Sequence, residues 1–114
     1  MNSSLHKVAT TYPIDGAANP VVVLASPVVG RKFVVTKWYL IPDANGTIRF
    51  QSRTPGGAAV SLSGLMTLVA GTVYSDGSGD EFVFKANESG DIFQIANAGT
   101  INLRGYAVIA EVQV

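Results

Sequence analysis

Apolar residues along this chain come in short runs, rich in Val, Ile, Thr and aromatics and fenced by Gly, Pro, Asn and Asp. That is the pattern of strands and tight turns, and no segment holds the 3.6-residue period of a helix. In "TIRFQS", Ile48 and Phe50 fall on one side and Arg49 and Gln51 on the other. The pattern predicts strands over Leu5–Thr11, Val21–Ala25, Lys32–Ile41, Thr47–Ser52, Ala59–Leu62, Leu65–Val69, Glu81–Lys85, Ile92–Ala96 and Thr100–Val114, with a bulge or bend at Gly105. Turn residues cluster in "PDANG" at 42–46, "TPGG" at 54–57, "SDGSGD" at 75–80 and "NESGD" at 87–91. Eight or nine short strands so spaced predict an all-β sandwich or barrel.

The period of two also assigns faces. In "FVVTKWYL", Val34, Thr36, Trp38 and Leu40 align against Phe33, Val35, Lys37 and Tyr39; neither side is wholly polar, so this strand is expected between two covered surfaces. Phe82 and Phe84 share a side in "EFVFKA", and Tyr106, Val108, Ala110, Val112 and Val114 align in the last strand. Phe50, Phe82, Phe84 and Val108 are expected to be buried together.

The chain has 114 residues, enough for one domain. A polar N-terminal segment carrying Leu5, Val8 and Tyr12 is expected to form an arm over residues 1–16, with residues 1–12 laid against another protein chain, a neighbouring subunit or a larger assembly, and the sandwich in residues 17–114. Only 14% of residues are charged, against about 25% in ordinary soluble domains. The deficit is concentrated: no Asp, Glu, Lys or Arg occurs from Thr54 to Ser75. A solvated sheet face normally carries charges, whereas an uncharged polar face is cheap to desolvate, as a contact surface must be. This stretch is expected to form two short strands joined near Gly64. Val60, Leu62, Met66 and Leu68 would fill the core, and Ala59, Ser61, Leu65, Thr67 and Val69 would face another protein chain.

Net charge is zero, which argues against a general attraction to nucleic acid or anionic lipid. Basic and aromatic residues do interleave around Arg31, Lys32, Lys37, Arg49 and Arg53, but over three predicted strands. The apolar run "NPVVVLASPVVG" is short of the roughly 20 residues of a membrane helix, and the N-terminus lacks an apolar signal core. A soluble protein, not exported by a signal peptide, is expected.

Candidate chemistry is thin. There is no cysteine, and His6 is the only histidine, so one chain can build neither a histidine triad nor a multi-histidine metal site. Asp76, Asp80, Glu81, Glu88 and Asp91 fall together, but in or beside Gly/Ser/Asn turns where carboxylates are ordinary solvating residues. Asp76, Ser78 and Asp80 alternate as calcium ligands would, without the remaining positions of a calcium-binding loop. No catalytic residue, cofactor or metal is assigned. Five of the eight cations lie in 31–53 and five of the eight anions in 76–91. A basic edge with Arg49 and Arg53 meeting an acidic edge with Asp76 and Asp80 would allow head-to-tail contact between copies, closing into a ring.

The segment Trp38–Gly71, with "TIRFQS", a polar loop and "LSGLMTLVAG", resembles the small decoration, or cement, proteins of tailed bacteriophage heads. The likeness covers less than a third of the chain. Related sequences continue into an aromatic- and Pro-rich hairpin, where this one has "VYSDGSGDEFVF". The resemblance implies a jelly-roll-like antiparallel β-sandwich of about eight short strands. It implies a homo-oligomer, trimeric or else dimeric, made in the host cytoplasm and bound to the major capsid protein on the outer virion surface, with no catalysis. The alternative is a carbohydrate-binding β-sandwich on a virion or fibre, with Trp38, Tyr39, Tyr74 and Tyr106 as stacking platforms.

Overall fold

Two long strands set the frame. The computed structural model describes residues 9–25, 30–78 and 81–113, and in it β3 (Arg31–Pro42) runs antiparallel to β10 (Leu103–Gln113). β1 (Thr10–Gly16) pairs with the far side of β10, while β7 (Tyr74–Asp76) and β8 (Phe84–Lys85) line the far side of β3. In the second sheet β4 (Gly46–Arg53) and β9 (Ile92–Ala96) are central. β2 (Val21–Leu24) lies beyond β9, and β5 (Ala59–Ser61) and β6 (Met66–Leu68) lie beyond β4. All pairings are antiparallel. The protein is therefore an all-β sandwich of two antiparallel sheets, with ten strands among the described residues.

Two edge positions are single strands broken in the middle. β5 pairs with 51–53 and β6 with 46–48, so both follow one side of β4. Between them the ladder is kept by substitutes: Leu62 N donates to Phe50 O at 2.8 Å, and Phe50 N donates to Ser63 Oγ at 3.0 Å. The break falls where Gly64 was expected to join two short strands. β7 and β8 likewise share the side of β3: the ladder is paired through Asp76 and is taken up again where Val83 N reaches Val35 O at 2.7 Å. The ten strands thus occupy eight ladder positions, four in each sheet.

Phe50 sits at the centre of the core, with Trp38, Phe84 and Phe93 at ring-centroid distances of 4.8, 4.9 and 5.9 Å. A bulge at Thr36 decides what else joins them. Val108 pairs with Lys37 but Ile109 with Val35, so Thr36 has no partner in the ladder, and its hydroxyl donates to Val108 O at 3.3 Å. The extra residue reverses the alternation. Phe33 and Val35 therefore join Trp38 and Leu40 in the core, whereas Val34, expected on the side of Trp38, clusters with Ala110 and Val112 on the opposite face. At Gly105 β10 comes close to β3: a Cβ there would collide with the Tyr39 carbonyl oxygen and lie 2.8 Å from the Leu40 Cα, at φ +157°. The irregularity expected at Gly105 lies instead at Thr36.

Further expectations are corrected. Phe82 is 54% exposed, because the paired part of the predicted Glu81–Lys85 strand is only Phe84–Lys85, and parity is not carried through a segment that has left the sheet. Val108 is half-buried on the outer face beside Lys37. Residues 10–16, assigned to the arm, form β1, where Ile14 is buried and Tyr12 packs against the chain's own core. Ser75 and Asp76, the first residues of the turn expected at 75–80, belong to a strand, Tyr74–Asp76. Ile92–Ala96 is a strand with the expected bounds.

Candidate contact surface

The uncharged stretch forms the outer margin of the second sheet. Ala59, Ser61 and Thr67 are exposed there, registered against Arg53, Gln51 and Thr47 of β4. Leu65 and Val69 are 61% and 53% exposed. Leu68 is fully buried, and Leu62 and Met66 pack partly against the core. Val60 departs from the expected inward set and is exposed. Val73 is exposed too, so Val60, Leu65, Val69 and Val73 account for four of the six exposed large apolar residues of the described surface.

This margin is held in place. Val69 N donates to the Tyr74 hydroxyl and Ala70 N to Asn45 Oδ1, each at 2.9 Å, and Gly71 N reaches Pro42 O at 2.8 Å. These bonds tie the loop after β6 to the β3–β4 turn and to β7, so Val69 is presented to solvent by an anchored backbone.

On the same outer face, β4 alternates as the sequence predicts. Ile48, Phe50 and Ser52 point inward and are fully buried; Thr47, Arg49, Gln51 and Arg53 point outward and are half-buried. Gln94 of β9, registered beside Gln51, is only 3% exposed and links its neighbours: Arg53 Nε donates to Gln94 Oε1 at 3.0 Å, and Gln94 Nε2 donates to Gln51 Oε1 at 2.8 Å. Arg49 Nε is shielded from solvent and has no hydrogen-bond partner.

The cations of 31–53 do not share one edge. Arg31, Lys32 and Lys37 belong to β3 in the first sheet, and Arg49 and Arg53 to β4 in the second. Asp76 is in β7 of the first sheet, where its Oδ1 accepts from Gly77 N at 2.8 Å. Leu5, Val8, His6 and Asp80 lie outside the described residues.

Asp91, expected to be a solvating turn residue, is 1% exposed. Its Oδ2 accepts from Ser52 Oγ at 2.6 Å and Glu88 N at 3.2 Å, and its Oδ1 from Thr54 Oγ1 at 2.7 Å. Ser52 Oγ in turn accepts from Asn87 N at 3.0 Å. The group fastens the 87–91 turn to the end of β4. Buried Asn97 does the same elsewhere, donating to Ile101 O at 2.8 Å and Ala18 O at 3.2 Å. These are joints of the scaffold, and composition at single positions carries no signal for them.

Of the aromatic platform residues, Trp38 is buried and Tyr74 is half-buried against the core. Tyr39 and Tyr106 lie together on the outer face of the first sheet, stacked at 5.4 Å with Lys37 Nζ 6.0 Å from the Tyr106 ring centre. A cleft of about 350 Å³ is lined by Asp76, Gly77, Ser78, Glu81, Phe82 and Val83. Among the described residues no group of three or more His, Cys, Asp or Glu could hold a metal ion, and no helix is long and apolar enough to cross a membrane. No family model, no curated protein and no solved structure matches the chain.

Proposed function

We propose that this chain is a capsid decoration protein, a cement protein that oligomerises and binds across subunit junctions on the outside of a phage head. The observation that carries the contact reading is the uncharged margin 54–75, which holds four of the six exposed large apolar residues of the described surface. Exposed apolar side chains on an anchored, charge-free edge fit burial against another protein. The likeness of Trp38–Gly71 to decoration proteins supplies the capsid as the partner. A clamp of this kind stabilises the expanded shell by binding that state and not its precursor, as any state-selective ligand does.

The strand order supports reading the sandwich as a jelly roll. With β5–β6 taken as the fifth ladder position and β7–β8 as the sixth, the two sheets run 1-8-3-6 and 2-7-4-5, the order of a double Greek key wrapped into two facing sheets. The test of function is mass spectrometry of purified virions of the source phage, followed by rebinding of the purified chain to stripped heads. Its presence at a fixed ratio to the major capsid protein, with saturable rebinding, is expected; its absence from virions would refute the proposal.

The carbohydrate reading keeps one supporting observation, the paired Tyr39 and Tyr106. The two rings stack on each other, however, and Trp38 is buried, so little open ring face remains for a sugar.

A further inference from the structure

The outer face of the second sheet has a polarity that the margin beside it lacks. Its strand positions are Val22 on β2, Ile92, Gln94 and Ala96 on β9, Thr47, Arg49, Gln51 and Arg53 on β4, and Ala59, Ser61 and Thr67 at the edge. None is a carboxylate, two are guanidinium groups, and neither Arg49 nor Arg53 forms an ion pair among the described residues. Arg53 is braced through Nε by Gln94, which is itself braced by Gln51. That leaves the two terminal nitrogens of Arg53 as donors, held in a fixed plane. Arg49, four residues along the same face, engages nothing through Nε.

A guanidinium fixed by a buried amide has lost its side-chain freedom before any partner arrives, and its remaining donors match a carboxylate two-to-two. Positive charge on a face whose strand positions hold no carboxylate and are otherwise amide, hydroxyl or apolar is complementary to an acidic partner and repels a basic one, with Asp91 buried behind the end of β4 and already accepting from Ser52 and Thr54. We infer that this face receives carboxylate side chains of an acidic protein surface, Arg53 as the oriented anchor and Arg49 as a second contact. The inference rests on the contact reading of the adjoining margin: a protein laid over Ala59 and Ser61 also covers Arg53 and Gln51, their neighbours in register.

The experiment is an NMR titration of the ¹⁵N-labelled full chain with a hexaglutamate peptide, with hexalysine as control. Weak, salt-sensitive binding is expected, with shifts centred on the Arg49 and Arg53 Nε–H signals and on the backbone of 47–53 and 92–96. Hexalysine should leave them unmoved. Arg53→Gln should weaken binding about tenfold, the loss of one charge-assisted paired contact. Arg53→Lys, which keeps the charge without the planar fork, should fall between. Shifts centred on Lys32, Lys37 and Arg104 of the first sheet, equal affinity for Arg53→Gln, or no hexaglutamate binding would each overturn the inference. The two proposals fail separately. A chain that decorates heads but ignores hexaglutamate sinks only the carboxylate face, and one that binds hexaglutamate through Arg53 but is missing from virions sinks only the capsid reading.

Discussion

Phe50 and Phe82 carry the same side chain in opposite settings. Phe50 is fully buried against three aromatic rings, so Phe50→Ala should destabilise the fold by about 3–5 kcal/mol in urea unfolding, through lost transfer energy and the cavity left behind. Phe82 is more than half exposed, so Phe82→Ala should shift stability by less than about 1 kcal/mol; a larger loss would place Phe82 in the core. The Phe50 assignment was legible because "TIRFQS" alternates inside one unbroken ladder. Phe82 was misread because alternation carries information only while the strand stays paired. Asp91 was illegible for another reason: its three acceptor contacts come from residues 52, 54 and 88, and nothing in a local turn motif announces the two distant hydroxyls. Ser52→Ala removes a donor to Asp91 and the acceptor of Asn87 N, and should cost about 1–3 kcal/mol. Thermal unfolding compared with the parent measures it, and an unchanged transition would mean that water replaces the hydroxyl.

Among elements, the informative features are the irregular ones. The sandwich class and the strands of β4 and β9 follow from composition and spacing, but the Thr36 bulge changes which half of β3 faces the core, and no residue type marks it. A threonine in a strand is ordinary; what makes this one a bulge is the skipped position opposite Val108 and Ile109. Gly105 was legible as special but not for its reason, which is the close approach of the β3 backbone. Gly105→Ala would drive a Cβ into the Tyr39 carbonyl oxygen and force the two longest strands apart. It should destabilise by more than about 3 kcal/mol, measured by urea unfolding, and near-parental stability would show that the central pair can separate without penalty. The breaks in β5–β6 and β7–β8 and the Pro13 in edge strand β1 share an effect. Among the described residues they interrupt the edges on which another strand could extend the sheet. A partner chain of the kind proposed would then meet side-chain faces and not a free strand edge.

At the scale of the molecule, the chain holds its core between its own two sheets. Its accessible surface is 5738 Å², close to the roughly 6,000 Å² expected of a folded monomer of this mass. A contact on the uncharged margin would add to that core, and on the proposed reading binding and folding should be separable. Thr67→Glu separates them. Thr67 is exposed on β6 opposite Thr47, where an acid on a free surface would change stability by no more than about 0.5 kcal/mol. If that face is covered by protein, the same carboxylate must be desolvated in the complex. Arg49 is the nearest β4 guanidinium, diagonal to Thr67 in the register, so the comparison includes Thr67→Glu combined with Arg49→Gln, set against Arg49→Gln alone, in which the new carboxylate has no cation beside it. An unpaired buried charge there costs several kcal/mol, enough to lower affinity by orders of magnitude. The expected result is a variant with parental thermal unfolding that no longer oligomerises in sedimentation or binds stripped heads. A Thr67→Glu chain that unfolds, assembles and decorates like the parent would show that the missing charges of 54–75 serve no contact.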